Sequence, residues 1–69
     1  MEKETKRIAQ NIRKIRRKKK ISQLDFALEL EISPSHLYYI ESRRVIPSVD
    51  LVIKMAKTLQ INPAELLGG

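Results

Sequence analysis

Apolar residues recur along this chain at three- and four-residue intervals, and each run is bracketed by residues that start or stop a helix. Ile8, Ile12 and Ile15 fall at i, i+4 and i+7, on one helical face. They predict a first helix from about Lys3 to Lys19. Glu2 and Glu4 suit its positive N-terminal end, and the Lys run up to Lys20 suits its negative C-terminal end. Ser22 is a side-chain cap with Asp25 three residues on, a shortened capping box. Gln23, Phe26, Ala27 and Leu30 form the stripe of helix two, which stops near Glu31 because Ser33-Pro34 is a fresh start. Leu37 and Ile40, with Glu41 beside them, make the inward edge of helix three. Pro47 breaks the chain, Ser48 caps, and Val49, Val52, Ile53, Ala56 and Leu59 define a fourth helix. Asn62-Pro63-Ala64-Glu65 opens a last short helix with Leu66 and Leu67, closed by Gly68 and Gly69. No run alternates with period two for long enough to make a strand. The expected fold is all-α, five short helices in a single domain over residues 1–69.

Charge adds a partner to this picture. The 69 residues carry 14 Lys and Arg against 8 Asp and Glu, a net +6, and ten of the 14 lie in the first 20 positions. The remaining four are Arg43, Arg44, Lys54 and Lys57. Such a surface expects an anion. The chain is too short for most enzymes, and no nucleophile–base pair, buried carboxylate pair or phosphate-cradling glycine loop can be assembled from it. Zero Cys and one His exclude a disulfide framework and argue against a metal centre, so no cofactor or metal is expected. The apolar runs fall far short of the roughly 18 residues that cross a bilayer, and the first helix lacks Trp or Phe anchors for a membrane surface. A cytoplasmic protein with no membrane partner is expected. No effector domain is expected after Leu67, although a fragment of a longer repressor would read the same way.

Helices two and three, joined by three or four residues, must cross steeply, and Ala27 is small enough to let their backbones approach. With Leu37, Ile40 and Glu41 inward, Ser35, Tyr39, Ser42 and Arg43 point outward, flanked by His36 and Tyr38. That polar face has the reach of base edges in a major groove wide enough for one helix. Taken by itself, it also fits a solvated surface.

Several pieces then fall in one order: Asn11-Ile12-Arg13 through Arg16, Ile21-Ser22-Gln23, Ala27, Ile32-Ser33-Pro34-Ser35 through Leu37, Ile40-Glu41, Pro47-Ser48 and the Leu-rich end. Together, from about Ile12 to Leu67, they resemble the Cro and CI-type helix-turn-helix DNA-binding domains of phage repressors and bacterial regulators. The resemblance implies a compact five-helix, lambda-repressor-like domain with its helix-turn-helix in helices two and three. It implies a backbone clamp at Gln23, and phosphate or base contacts from Ser33, Ser35 and Tyr39 with His36 and Tyr38 beside them. Pro34 offers only apolar contact, as to a thymine methyl. Tyr38 reads equally as packing, and His36 as an exposed polar residue. Arg43 and Arg44 are placed to meet flanking phosphates. The resemblance also points to an ion pair of Arg16 with Glu41, which both border apolar stripes. Relatives usually carry Gly where Glu31 and Arg43 stand, so these turns are either strained or built differently, with Arg43 prolonging helix three as one option.

The leading expectation is a sequence-specific regulator, a repressor, bound as a homodimer to a palindromic site. One domain of this size buries too little DNA to discriminate well, and two copies reading half-sites about 34 Å apart multiply specificity. The alternative is a protein-binding module, such as an antitoxin, on the same fold. Leu24 and Leu28 lie off the core face and are either partly covered core or, with Val45 and Ile46, a patch for a protein partner or second copy.

Overall fold

Three serines begin three of the helices in the same way. In the computed structural model, which describes residues 2–68 and the side chains of residues 7–68, Ser22 Oγ accepts from the Asp25 amide at 3.0 Å, Ser33 Oγ from the His36 amide at 3.0 Å and Ser48 Oγ from the Leu51 amide at 3.1 Å. Each satisfies a first-turn N–H that has no intrahelical partner. The helices are α1 (Glu2–Lys18), α2 (Gln23–Leu30), α3 (Pro34–Glu41), α4 (Val49–Leu59) and α5 (Ala64–Leu67), with no strand among the described residues. At α5 the box expected of Asn62 and Glu65 closes reciprocally. Asn62 Oδ1 accepts from the Ala64 amide at 2.9 Å, and Glu65 Oε2 accepts from the Asn62 amide at 3.0 Å. The matching of Glu2 and Glu4 to the positive end of α1 lies outside the described residues, as does Gly69.

The first four helices end alike. Lys20, Glu31, Arg43 and Gln60 follow them with φ of 60°, 60°, 70° and 59°. Each donates its amide three residues back, and the next residue donates five back: Ile21 to Arg16, Ile32 to Ala27, Arg44 to Tyr39 and Ile61 to Ala56, at 3.2, 3.0, 2.9 and 2.9 Å. This is the left-handed C-terminal turn that glycine ordinarily supplies. The turns after Glu31 and Arg43 are therefore strained rather than rebuilt, and Arg43 does not prolong α3. Ile21, Ile32 and Ile61 pack on the core from these turns, an apolar clasp that helps to hold a non-glycine residue there. At α2 the Lys54 ammonium adds a further lock, donating to the Leu30 carbonyl at 2.9 Å.

The core joins Ile12, Phe26, Ala27, Leu30, Leu37, Ile40, Val52, Met55, Ala56, Leu59 and Leu66. α1 packs on α3 and α5, and α2 packs on α3 and α4. Asn11 ties the ends of the chain together, its amide donating to the carbonyls of Leu66 at 2.9 Å and Gly68 at 2.7 Å. Ala27 is fully buried at the α2–α3 crossing, as its size requires. One stripe differs from expectation. Met55 is buried in α4, whereas Val49 is 76% exposed and Ile53 39% exposed. The apolar arc of α4 is wider than the core it faces, and its surplus edge turns to solvent. Leu67 and the pair Leu24 and Leu28 are likewise exposed, so the two α2 leucines are not covered core.

Candidate nucleic-acid interface

The site begins with a buried ion pair that fixes α3 against α1. Arg16 donates to Glu41 through Nε at 2.8 Å and Nη2 at 3.0 Å, and its Nη1 donates to the Ile21 carbonyl at 2.8 Å. The two side chains are 8% and 3% exposed. This two-pronged geometry satisfies the planar guanidinium fork and both carboxylate oxygens. Gln23 completes the group by donating its amide to Glu41 Oε1 at 3.2 Å. The first residue of α2 is thus tied to the last of α3, which sets the helix-turn-helix angle by hydrogen bonds as well as by packing.

With Leu37, Ile40 and Glu41 buried, α3 has one direction left in which to face solvent. Ser35, His36, Tyr38 and Tyr39 are exposed there, Tyr38 by 51% and Tyr39 by 42%. The two rings meet edge to face, with centroids 5.7 Å apart. Arg44 lies over the Tyr39 ring at 5.9 Å, a cation–π contact that holds the phenol beside a guanidinium. Arg44 occupies the place in the α3 turn where the three equivalent turns carry Ile. Arg43 is exposed next to it. Ser33 is exposed at the start of the helix, its Oγ engaged as the cap. Ser42 closes the far end, donating its hydroxyl to the Tyr39 carbonyl at 3.2 Å.

The structure brings Ser35, His36, Tyr38, Tyr39, Arg43 and Arg44 onto or beside one solvent-facing surface, and it ties the Gln23 side chain to Glu41 as well as to the helix start. It does not unite the four residues of the expected apolar patch. Leu28 lines a groove with Lys20, Ile21, Asp25, Glu29 and Thr58, whereas Ile46 lines a different one with Ile8, Pro47, Val49, Ile53 and Leu67. Two residues beside the interface were not singled out from the sequence. Arg13 and Arg17, one turn apart on α1, line a cleft with Gln23, Tyr38 and Ser42. Their i, i+4 spacing on the face that also carries Arg16 was the signal, masked by the surrounding run of cations.

Among the described residues no group of three or more His, Cys, Asp or Glu side chains is placed to hold a metal, and no helix is long and apolar enough to cross a membrane. Comparison with known proteins points the same way as the geometry. A family model described as helix-turn-helix matches residues 12–66. Among solved structures, the restriction-modification controller protein C.AhdI from Aeromonas hydrophila is similar at 27% identity over 90% of this chain and 94% of that one, with a TM-score of 0.85. A hypothetical transcription factor, NHTF from Neisseria, is similar at 25% identity over 97% of this chain and 78% of that one, with a TM-score of 0.88. No curated protein matches the sequence.

Proposed function

Because this chain belongs to the helix-turn-helix family of DNA-binding transcription regulators, we propose that it is a sequence-specific repressor, a single DNA-binding domain over residues 1–69 that works in the cytoplasm. It lays α3 in the major groove of a palindromic operator and acts as a homodimer. The observation that carries this reading is the division of α3 into a buried edge of Leu37, Ile40 and Glu41 and a polar outer face with Ser35 and Tyr39. Ser35 and Tyr39 meet base edges, with His36 and Tyr38 at the groove edge. Ser33, Gln23, Arg43 and Arg44 hold backbone phosphates, and Arg44 also positions Tyr39. The dimer is supported by the groove of about 220 Å³ that Ile8, Ile46, Pro47, Val49, Ile53 and Leu67 line, an apolar surface the monomer leaves open.

Selecting bound fragments from random duplexes tests the proposal directly. Two half-sites related by a dyad, one helical turn apart, are the expected product. Tyr39→Ala and Ser35→Ala should relax the preference at individual positions by about 1–3 kcal/mol while leaving the melting temperature near the parent's. Equal affinity for every duplex refutes sequence reading. The exposure of Leu24 and Leu28, 56% and 64%, favours a second reading in which the same fold binds a protein, as an antitoxin does. Under that reading Tyr39→Ala spares partner binding, and charged replacements of the leucines abolish it.

A further inference from the structure

We propose that the cleft between α1 and α3 seats one stretch of DNA backbone through Arg13 and Arg17, outside the recognition helix itself. The inference rests on the reading of the protein as a DNA binder and adds α1 to its contact surface. The cleft measures about 350 Å³ and is open to solvent. Its floor is the Arg16–Glu41 pair, already closed on itself by two hydrogen bonds and by Gln23. The only carboxylate lining the cleft is therefore neutralised by Arg16, and Arg13 and Arg17 supply its uncompensated charge. Both are exposed, and among the described residues neither has an acidic partner within ion-pair distance.

Like charges four residues apart disfavour a helix, so this pair is not there to stabilise α1. A phosphate placed between them removes the repulsion and matches the guanidinium fork, which recognises phosphate oxygens in pairs. Tyr38 and Ser42 of α3 form the opposite wall. An anion in the cleft thus lies beside the outer face of α3, on the α1 side of the groove that face would read. Walls of buried protein on two sides focus the field of the two cations into that space.

Salt dependence of duplex binding provides the test. A random-sequence duplex serves as probe, with the whole chain and its Arg13→Gln, Arg17→Gln and double variants, and with Lys57→Gln as a control that removes one charge from α4. Each arginine substitution should make the slope of log K against log salt shallower by about 0.9, and the double variant by about twice that. Lys57→Gln should leave the slope near the parent's. Melting temperatures at or above the parent's are expected, since a like-charge contact is lost, and they separate loss of contact from loss of fold. A double variant whose slope equals the Lys57→Gln value overturns the proposal while the parent still binds. A parent that binds no duplex overturns both this inference and the reading beneath it. Titration with inorganic phosphate distinguishes a free-anion site: binding that Arg13→Gln removes, with duplex slopes unchanged, also overturns the backbone assignment.

Discussion

Glu41 accepts hydrogen bonds from two residues on two other helices, so its removal strands more than one group. Glu41→Ala leaves the Arg16 guanidinium buried without its counter-charge and the Gln23 amide without its acceptor. A loss of about 3–5 kcal/mol is expected, read as a shift of the urea midpoint. An unchanged midpoint would remove the pair from any account of the fold. Arg44 supports the opposite kind of prediction. Its slot in the α3 turn is filled by Ile at the other three helix ends, so Arg44→Ile should fold as well as the parent, lose the cation–π contact to Tyr39 and weaken DNA binding with a salt slope shallower by about 0.9. At this scale the pair of Arg16 and Glu41 was legible, because each residue borders an apolar stripe. The inward tie of Gln23 was not. A glutamine that opens a helix reads equally as cap neighbour or backbone clamp, and only the tertiary fold puts a carboxylate within its reach.

The helices themselves were legible from their caps, since Ser22, Ser33, Ser48 and Asn62 each make the first-turn contact that their spacing foretells. Their C-termini were harder to read. A residue that closes a helix in the left-handed region is usually glycine, and here Lys20, Glu31, Arg43 and Gln60 take that conformation instead. Non-glycine residues there carry a cost of roughly 1–2 kcal/mol each. Glu31→Gly should therefore stabilise the protein by about 1 kcal/mol after the extra freedom of the unfolded chain is subtracted. The side chain removed is 83% exposed and 3.4 Å from Lys54, so its pairing offsets little of that gain. Thermal melting of Glu31→Gly beside Glu31→Ala measures the difference. The stripe of α4 was misread at one edge for a related reason: periodicity reports which residues share a face, but not how much of that face the neighbouring helices can cover. Val49 and Ile53 lie on the uncovered part.

For the molecule as a whole, that uncovered edge makes dimerisation testable without DNA. Ile46→Glu and Val49→Glu place charges in the apolar groove. Sedimentation at increasing concentration should show the parent approaching twice its monomer mass while both variants stay at one. A parent that remains monomeric at every concentration would leave the palindrome reading without its second copy. Net charge and its crowding into the first 20 positions were plain from the sequence. Which of those cations face the duplex was not, because α1 shows an arginine or lysine on nearly every exposed side until α3 is docked against it. The four left-handed turns have one more effect. They lie on the chain's joints, and three of the four carry no residue assigned to the duplex, so exchanges there alter the fraction of unfolded molecules without altering which operator is chosen. Since about 1–2 kcal/mol is enough to change the steady-state amount of a protein several-fold through proteolysis, the persistence of this regulator in the cell can be retuned at Lys20, Glu31 or Gln60 while its address on the chromosome stays the same.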